Sequence, residues 1–166
     1  MDLKRAWRHA VTDVRSARRA FSPDILQRLE TLVREGEQRH GGELRFVVES
    51  ALSGRDLRAD RTPRDRALDV FSLLRVWDTD DRNGVLVYVL MADRAVEIIA
   101  DRGIHARVGE TGWRTLCAAM EAAFREGRFR DGALDGVRAI NDLLASHFPA
   151  QGARRNELPD APVILG

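Results

Sequence analysis

Hydrophobic residues recur at two different spacings along the chain, and each spacing predicts one kind of secondary structure. Spacings of three or four residues, as in Trp113, Leu116, Met120 and Phe124, predict helices. Short unbroken apolar runs predict buried strands. The predicted helices begin near residues 3, 22, 62, 113 and 134, and the predicted strands are residues 44–48, 85–91 and 95–100.

Two of the predicted helices begin with clear start signals. Ser22 and Thr62 are each followed by proline, and an acidic residue follows within the first turn. A hydroxyl can accept hydrogen bonds from unpaired amides at a helix start, and proline is tolerated at the first helical position. Between these helices, the charged residues 53–61 predict a loop.

The order of the elements predicts the topology. A helix lies between the strands 44–48 and 85–91, so these two strands should be parallel, with a right-handed connection. The short turn 92–94 should return strand 95–100 antiparallel to its predecessor. We therefore predict the α/β class, with a small mixed β-sheet between α-helical layers (an α/β/α sandwich).

The chain is predicted to have three parts. Residues 1–21 form an extra N-terminal amphipathic helix, residues 22–148 form the α/β domain, and residues 149–166 form a loose C-terminal tail. Basic residues surround the apolar stripe that contains Trp7 and Phe21. We expect this stripe to pack on the domain, and the alternative is peripheral attachment to an anionic membrane surface.

Charge and cysteine content exclude several classes of protein. The 27 basic and 26 acidic residues give a net charge of +1, so nucleic acid is not an expected partner. The single cysteine, Cys117, excludes an internal disulfide and a cysteine-based zinc cluster. No apolar run approaches about 18 residues and no secretory signal is evident, so we expect a cytoplasmic protein that does not span a membrane.

Acidic residues flank the predicted hairpin at one end. Asp80, Asp81 and Asn83 precede one strand and Asp101 follows its antiparallel partner, with His105 and Glu110 a little further along. The start of one antiparallel strand lies beside the end of its partner, so these side chains should meet at one rim of the sheet. Carboxylates Asp80, Asp81 and Asp101 could hold a divalent cation, calcium or magnesium. The alternative is a solvated turn, in which aspartate and asparagine are common.

Several short motifs, taken in order, resemble the core of the TPM domain family. That family takes its name from a thylakoid lumen phosphatase, a photosystem repair protein and an acetylcholine-receptor modulator. Its usual pattern has Asp-Asn-Gly before a long apolar strand, an aspartate in the short turn that follows, and Gly-x-Gly-x-Glu after the next strand. The matching segments are 82–90, 93–98 and 102–105, with Phe129-Arg130-Asp131-Gly132 before the last helix. The resemblance covers about residues 21–148. It implies an α/β domain and, for some relatives, acid phosphatase activity or calcium binding.

Three rim positions depart from the family pattern. The family has aspartate, glycine and glutamate where this chain has Arg82, Asp101 and His105. A guanidinium competes with a cation for carboxylate oxygens, so these exchanges weaken a cation site. Arg82, with Asn83 and Glu110, is therefore assigned to the rim and not to the ligand set.

From these features we predict a binding or accessory module, with a protein partner or a membrane surface as its target. The pattern predicts no oligomeric state. The alternative is a metal-assisted acid phosphatase that acts on phosphomonoesters. In that alternative Asp80, Asp81 and Asp101 surround the cation, and Asp81 and His105 are the catalytic residues, with His105 as general acid or base.

Overall fold

The computed structural model describes residues 2–152 and 155–166, and in that part of the chain it contains helices on both faces of a four-stranded sheet. The predicted parts 1–21 and 149–166 include residues 1, 153 and 154, which lie outside the described residues. The helices are α1 (Leu3–Val11), α2 (Val14–Ala20), α3 (Pro23–Glu37), α4 (Gly54–Arg58), α5 (Pro63–Leu73), α6 (Arg102–Arg125) and α7 (Phe129–His147). The strands are β1 (Glu43–Glu49), β2 (Gly84–Leu90), β3 (Ala95–Ala100) and β4 (Val163–Leu165).

The sheet has the strand order β3-β2-β1-β4. β1 and β2 are parallel, with Phe46 opposite Val87, and β2 and β3 are antiparallel, with Val85 opposite Ala100. Both predicted pairings are therefore confirmed. The connection from β1 to β2 contains α5, as the parallel pairing requires, because parallel neighbours need a crossover.

β2 lies at the centre of the molecule because its residues face two hydrophobic cores in alternation. Val85, Val87 and Val89 belong to the core beneath α2, α3, α6 and α7. The residues between them, Leu86 and Tyr88, belong to the core beneath α4 and α5. This arrangement confirms the predicted α/β/α sandwich and explains why the sequence of β2 is continuously apolar.

α3 and α5 begin where the start signals predict, but the Ser22 side chain makes no capping hydrogen bond at the start of α3. Proline stands in the first turn of both helices, and α5 has a complete capping box in which Thr62 and Asp65 exchange hydrogen bonds. The predicted loop 53–61 contains the short helix α4 instead. Its start is capped by Ser53, whose hydroxyl accepts a hydrogen bond from the Asp56 amide at 3.2 Å. A charged segment can thus form one helical turn when its first residue caps it.

The expectation of a loose C-terminal tail is wrong for the segment that forms β4. β4 pairs in parallel with β1, opposite Val47–Glu49. Two side chains of β1 hold the segment before it: the Glu43 carboxylate accepts the Leu158 amide at 3.0 Å, and the Arg45 guanidinium donates to the Ala161 carbonyl at 2.7 Å. These partners lie more than a hundred residues away in sequence, so the local pattern could not indicate them.

The N-terminal segment differs from the single helix that the sequence predicts. It forms two helices, because Asp13 caps the start of α2 and accepts the Ser16 amide at 2.8 Å. Phe21 is buried as expected, but Trp7 is exposed, so the prediction that the whole stripe packs on the domain is wrong. Across the described residues, no helix combines the length and apolar character needed to cross a membrane.

Candidate functional site

The predicted rim exists at the end of the sheet where β2 begins and β3 ends. We use the term rim for residues 78–83, before β2, and 101–105, at the start of α6. The Asp101 amide donates a hydrogen bond to the Gly84 carbonyl at 2.9 Å, which continues the β2–β3 pairing beyond the strands. A Cβ atom at Gly103 would lie 2.9 Å from the Arg82 carbonyl oxygen. Glycine is therefore needed for the close approach of the two segments.

The Asn-Gly pair at the start of β2 has a structural task. Asn83 is buried, and its side-chain amide donates to the Gly41 carbonyl at 2.5 Å. The Asn83 backbone carbonyl accepts a hydrogen bond from the Glu43 amide at 3.0 Å, which joins the starts of β1 and β2. A Cβ atom at Gly84 would lie 1.9 Å from the Val76 carbonyl oxygen. The pair therefore fixes the loop that carries the rim residues.

The three predicted carboxylate ligands have different environments. The Asp101 side chain caps α6 by accepting the Arg102 amide at 2.6 Å. Asp80 and Asp81 are both exposed, and the Asp80 amide donates to the Glu157 carboxylate at 3.0 Å. Within the described ranges, no three or more histidine, cysteine, aspartate or glutamate side chains are grouped so that they could hold a metal ion. The assignment of Asp80, Asp81 and Asp101 as metal ligands remains a prediction.

The predicted site residues divide between two concave surfaces. The first, which we call the rim cleft, has a volume of about 510 Å³ and is lined by Trp77, Asp78, Thr79, Arg82, Asp101 and Arg102. His105 and Glu110 line a different surface, of about 610 Å³, between β3 and α6. We call this second surface the β3–α6 groove. The structure therefore brings Arg82 and Asp101 to one cleft and places His105 and Glu110 in another.

The rim cleft has a cationic character that the sequence only partly predicts. Asp78 is neutralised by Arg75 outside the cleft, with an N–O distance of 2.5 Å. Arg82 and Arg102 make no ion pair with any residue that the structure describes. Arg82 has a φ of 52°, a left-handed conformation that non-glycine residues seldom adopt. Two guanidinium groups are thus available at the rim, and Arg102 was not among the predicted rim residues.

The β3–α6 groove contains partly buried titratable groups, of which sequence reasoning missed Glu97 and Glu121. Glu97 pairs with Arg64 at 3.2 Å, and burial raises the pKa of Glu97 above its usual range despite that partner. Burial also raises the pKa of Cys117 to about 12, so its thiol stays neutral and is a poor nucleophile at neutral pH. The Glu121 carboxylate accepts the Val96 amide at 3.1 Å. Side chains therefore cover part of the outer edge of β3, which protects the edge from pairing with another chain.

Known proteins of similar sequence or structure have the same fold. The family model described as the TPM domain matches residues 14–143. The BA42 protein of the psychrophilic bacterium Bizionia argentinensis has a TM-score of 0.75 and 29% identity, with 86% of this chain and 94% of that chain covered. The N-terminal domain of a P. gingivalis protein has a TM-score of 0.58 and 19% identity, covering 73% and 76% respectively, which shows likeness of fold alone. No match is found among curated proteins.

Proposed function

Because the chain belongs to the TPM domain family, we propose that it is a binding module whose rim cleft receives an anionic group. The observation that carries this proposal is the pair of guanidinium groups, Arg82 and Arg102, which line the cleft without ion-pair partners among the described residues. At the first of these positions the family pattern has a carboxylate. The exchange reverses the charge that a ligand meets.

The chemistry of the cleft suits a phosphate or carboxylate group. A guanidinium presents several N–H donors in one plane and binds such oxyanions through two parallel hydrogen bonds. The competing carboxylates are already engaged, since Asp78 pairs with Arg75 and Asp101 caps α6. Trp77 lines the same cleft and is half exposed, so a planar part of a ligand could stack on its ring.

The alternative function is a metal-assisted phosphatase, with Asp81 and His105 as catalytic residues. That mechanism needs the acid or base beside the bound phosphate. His105 lines the β3–α6 groove and Asp101 lines the rim cleft, and this separation supports binding rather than hydrolysis.

Titration calorimetry with inorganic pyrophosphate tests the proposal. Wild-type protein should bind pyrophosphate, and Arg82→Gln and Arg102→Gln should each weaken binding about fivefold, as expected for removal of one exposed charge contact. Arg130→Gln is the matched control, because Arg130 is exposed on α7 and lines neither surface. Equal affinity of all four proteins for pyrophosphate would contradict the proposal.

Calcium titration separates the two functions. Wild-type protein should bind calcium weakly because the Arg82 charge repels a cation. The double variant Arg82→Asp with His105→Glu restores the acids of the family pattern and should bind calcium more tightly. Tight calcium binding by the wild type, lost in Asp81→Ala, would replace the proposal with a metal site, and calcium-dependent phosphomonoester hydrolysis would make that site catalytic.

A further inference from the structure

α1 presents its hydrophobic side to solvent. Leu3, Trp7 and Val11 follow one another at intervals of four residues and form a stripe along the helix. Their exposed fractions are 76%, 67% and 53%. We call these three residues the α1 stripe. Helices on globular domains normally bury such a stripe against the core, so its exposure needs a cause.

The cause is a carboxylate that holds the polar side of α1. Asp93, in the turn between β2 and β3, accepts a hydrogen bond from Arg5 Nε at 3.0 Å and one from Arg8 Nη2 at 3.1 Å. His9 Nε2 lies 3.1 Å from Asp93 Oδ1, and His9 Nδ1 accepts the Leu52 amide at 3.0 Å. Because Nδ1 accepts a hydrogen bond, the ring proton belongs on Nε2, which faces Asp93.

These contacts fix the rotation of α1 about its axis. Burial by itself raises the pKa of Asp93, but the His9 ring 3.1 Å away and the hydrogen bonds from Arg5 and Arg8 outweigh it and hold the pKa well below its usual range. Asp93 therefore stays ionised. Turning the α1 stripe toward the core would remove three cationic or donor groups from a largely buried carboxylate, which is costly. The stripe faces outward because the opposite side of the helix is anchored.

The segment that contains the α1 stripe is cationic. Residues 2–21 contain six basic and two acidic residues, whereas the whole chain has a net charge of only +1. Lys4 and Arg8 lie beside the stripe on α1, where Lys4 is exposed and Arg8 is about half exposed. The next helix, α2, adds three exposed arginines that make no ion pair with a described residue: Arg15, Arg18 and Arg19.

We propose that α1 docks on an anionic lipid surface, with Leu3, Trp7 and Val11 inserted at the level of the headgroups. A short apolar stripe bordered by arginine and lysine is the arrangement that lies in the plane of such an interface, and tryptophan favours that depth. The stripe and the rim lie at opposite ends of β2, since Asp93 follows β2 and the rim precedes it. A docked protein therefore leaves its rim cleft open to solution.

Co-sedimentation with vesicles tests the proposal on the full chain. The protein should sediment with vesicles of phosphatidylcholine and phosphatidylglycerol in equal parts, and not with phosphatidylcholine alone. Leu3→Gln should lower the partition coefficient on the order of tenfold, through loss of apolar insertion. Leu73→Gln is the matched control, because Leu73 on α5 is a leucine of similar exposure (67%), and it should bind as wild type.

The basic residues and the tryptophan give two independent measurements. Arg15→Gln and Arg18→Gln should each lower the partition coefficient about fivefold. Added salt should also lower the partition coefficient, because it screens the attraction to the anionic lipid. Lipids brominated in their acyl chains should quench wild-type and Trp77→Phe fluorescence but leave Trp7→Phe largely unquenched.

Several results would overturn the proposal. Equal binding to neutral and anionic vesicles would show that the basic residues have no part in docking. Equal partition of Leu3→Gln and Leu73→Gln would show that the α1 stripe is not inserted. A dimer in sedimentation velocity that Leu3→Gln dissociates, without vesicle binding, would assign the stripe to an interface between two copies of the chain. None of these outcomes depends on the rim cleft, whose variants carry no change on α1.

Discussion

The ion pair between Arg66 and Glu49 connects α5 to the end of β1, and Arg66→Met removes one partner without removing the aliphatic packing. Arg66 Nε and Nη2 both donate to the Glu49 carboxylate, with shortest distances of 2.8 Å. The Tyr88 hydroxyl donates to the same carboxylate at 2.5 Å. Burial and the neighbouring Glu49 charge raise the pKa of Tyr88 well above its usual range, so the hydroxyl keeps its proton.

The expected cost follows from the burial of the pair. The Glu49 side chain is 8% exposed and the Arg66 side chain is 23% exposed, so water reaches the guanidinium but hardly the carboxylate. Removing one partner of a buried pair costs about 3–5 kcal/mol, because the remaining charge is left uncompensated. Since Arg66 is partly hydrated, we expect a loss of about 3 kcal/mol in the free energy of unfolding. The double variant Arg66→Met with Glu49→Gln removes both charges and should recover most of that loss.

Urea unfolding followed by far-ultraviolet circular dichroism at neutral pH measures these values. Arg58→Met is the matched control, because Arg58 is exposed on α4 and makes no ion pair with a described residue. It should change stability by less than about 0.5 kcal/mol. The reasoning fails if Arg66→Met is as stable as Arg58→Met. It also fails if the double variant is less stable than Arg66→Met, because the cost would then not come from an unpaired charge.

Two more predictions concern the starts of β1 and β2. Gly84→Ala should destabilise the protein by about 2–4 kcal/mol in urea unfolding, since the added Cβ meets the Val76 carbonyl oxygen and the backbone must shift. Gly54→Ala is its control, because a Cβ there meets nothing within 4 Å, and equal stability of the two variants would contradict the prediction. Burial, with the Glu43 and Asp160 charges nearby, raises the pKa of Glu37 from 4.5 to about 8 despite the Leu44 amide. This raised pKa favours folding below pH 4.5, and the contribution, on the order of 5 kcal/mol, should be lost as the pH rises to about 8. Melting temperatures across this range should fall less in Glu37→Gln, and an identical slope would refute the assignment.

The parts of the fold that local sequence determines could be predicted. β2 is recognisable because seven consecutive buried residues leave no polar position in the pattern. Its parallel pairing with β1 follows from the helix between them, and its antiparallel pairing with β3 follows from the short turn. The rim follows in turn, because an antiparallel pair brings the start of β2 to the end of β3. Each step depends on residues that are near one another along the chain.

The features that could not be predicted depend on distant residues. The three residues of β4 follow a polar segment, and their place in the sheet depends on Glu43 and Arg45 of β1. For α1, the periodicity shows that one side is apolar, but it contains no information on which side contacts the domain. That choice is made by Asp93, more than eighty residues away. Likewise, the spacing of Asp101 and His105 could not show that they line different surfaces.

The arginines of this protein fall into two groups, those that pair with buried carboxylates and exposed ones without an ion-pair partner among the described residues. Lys4 is the single lysine among 27 basic residues, so nearly every positive charge is a guanidinium. Some of these arginines pair with buried carboxylates, as Arg66 does with Glu49 and Arg5 with Asp93. Each such pair compensates a negative charge that would be costly to bury alone. Arg82, Arg102 and the arginines of α2 have no such partner in the described part of the chain. An unpaired, exposed guanidinium contributes little to stability. The role of these arginines is therefore best tested by binding measurements, with pyrophosphate for Arg82 and Arg102 at the rim and with lipid vesicles for the arginines of α2.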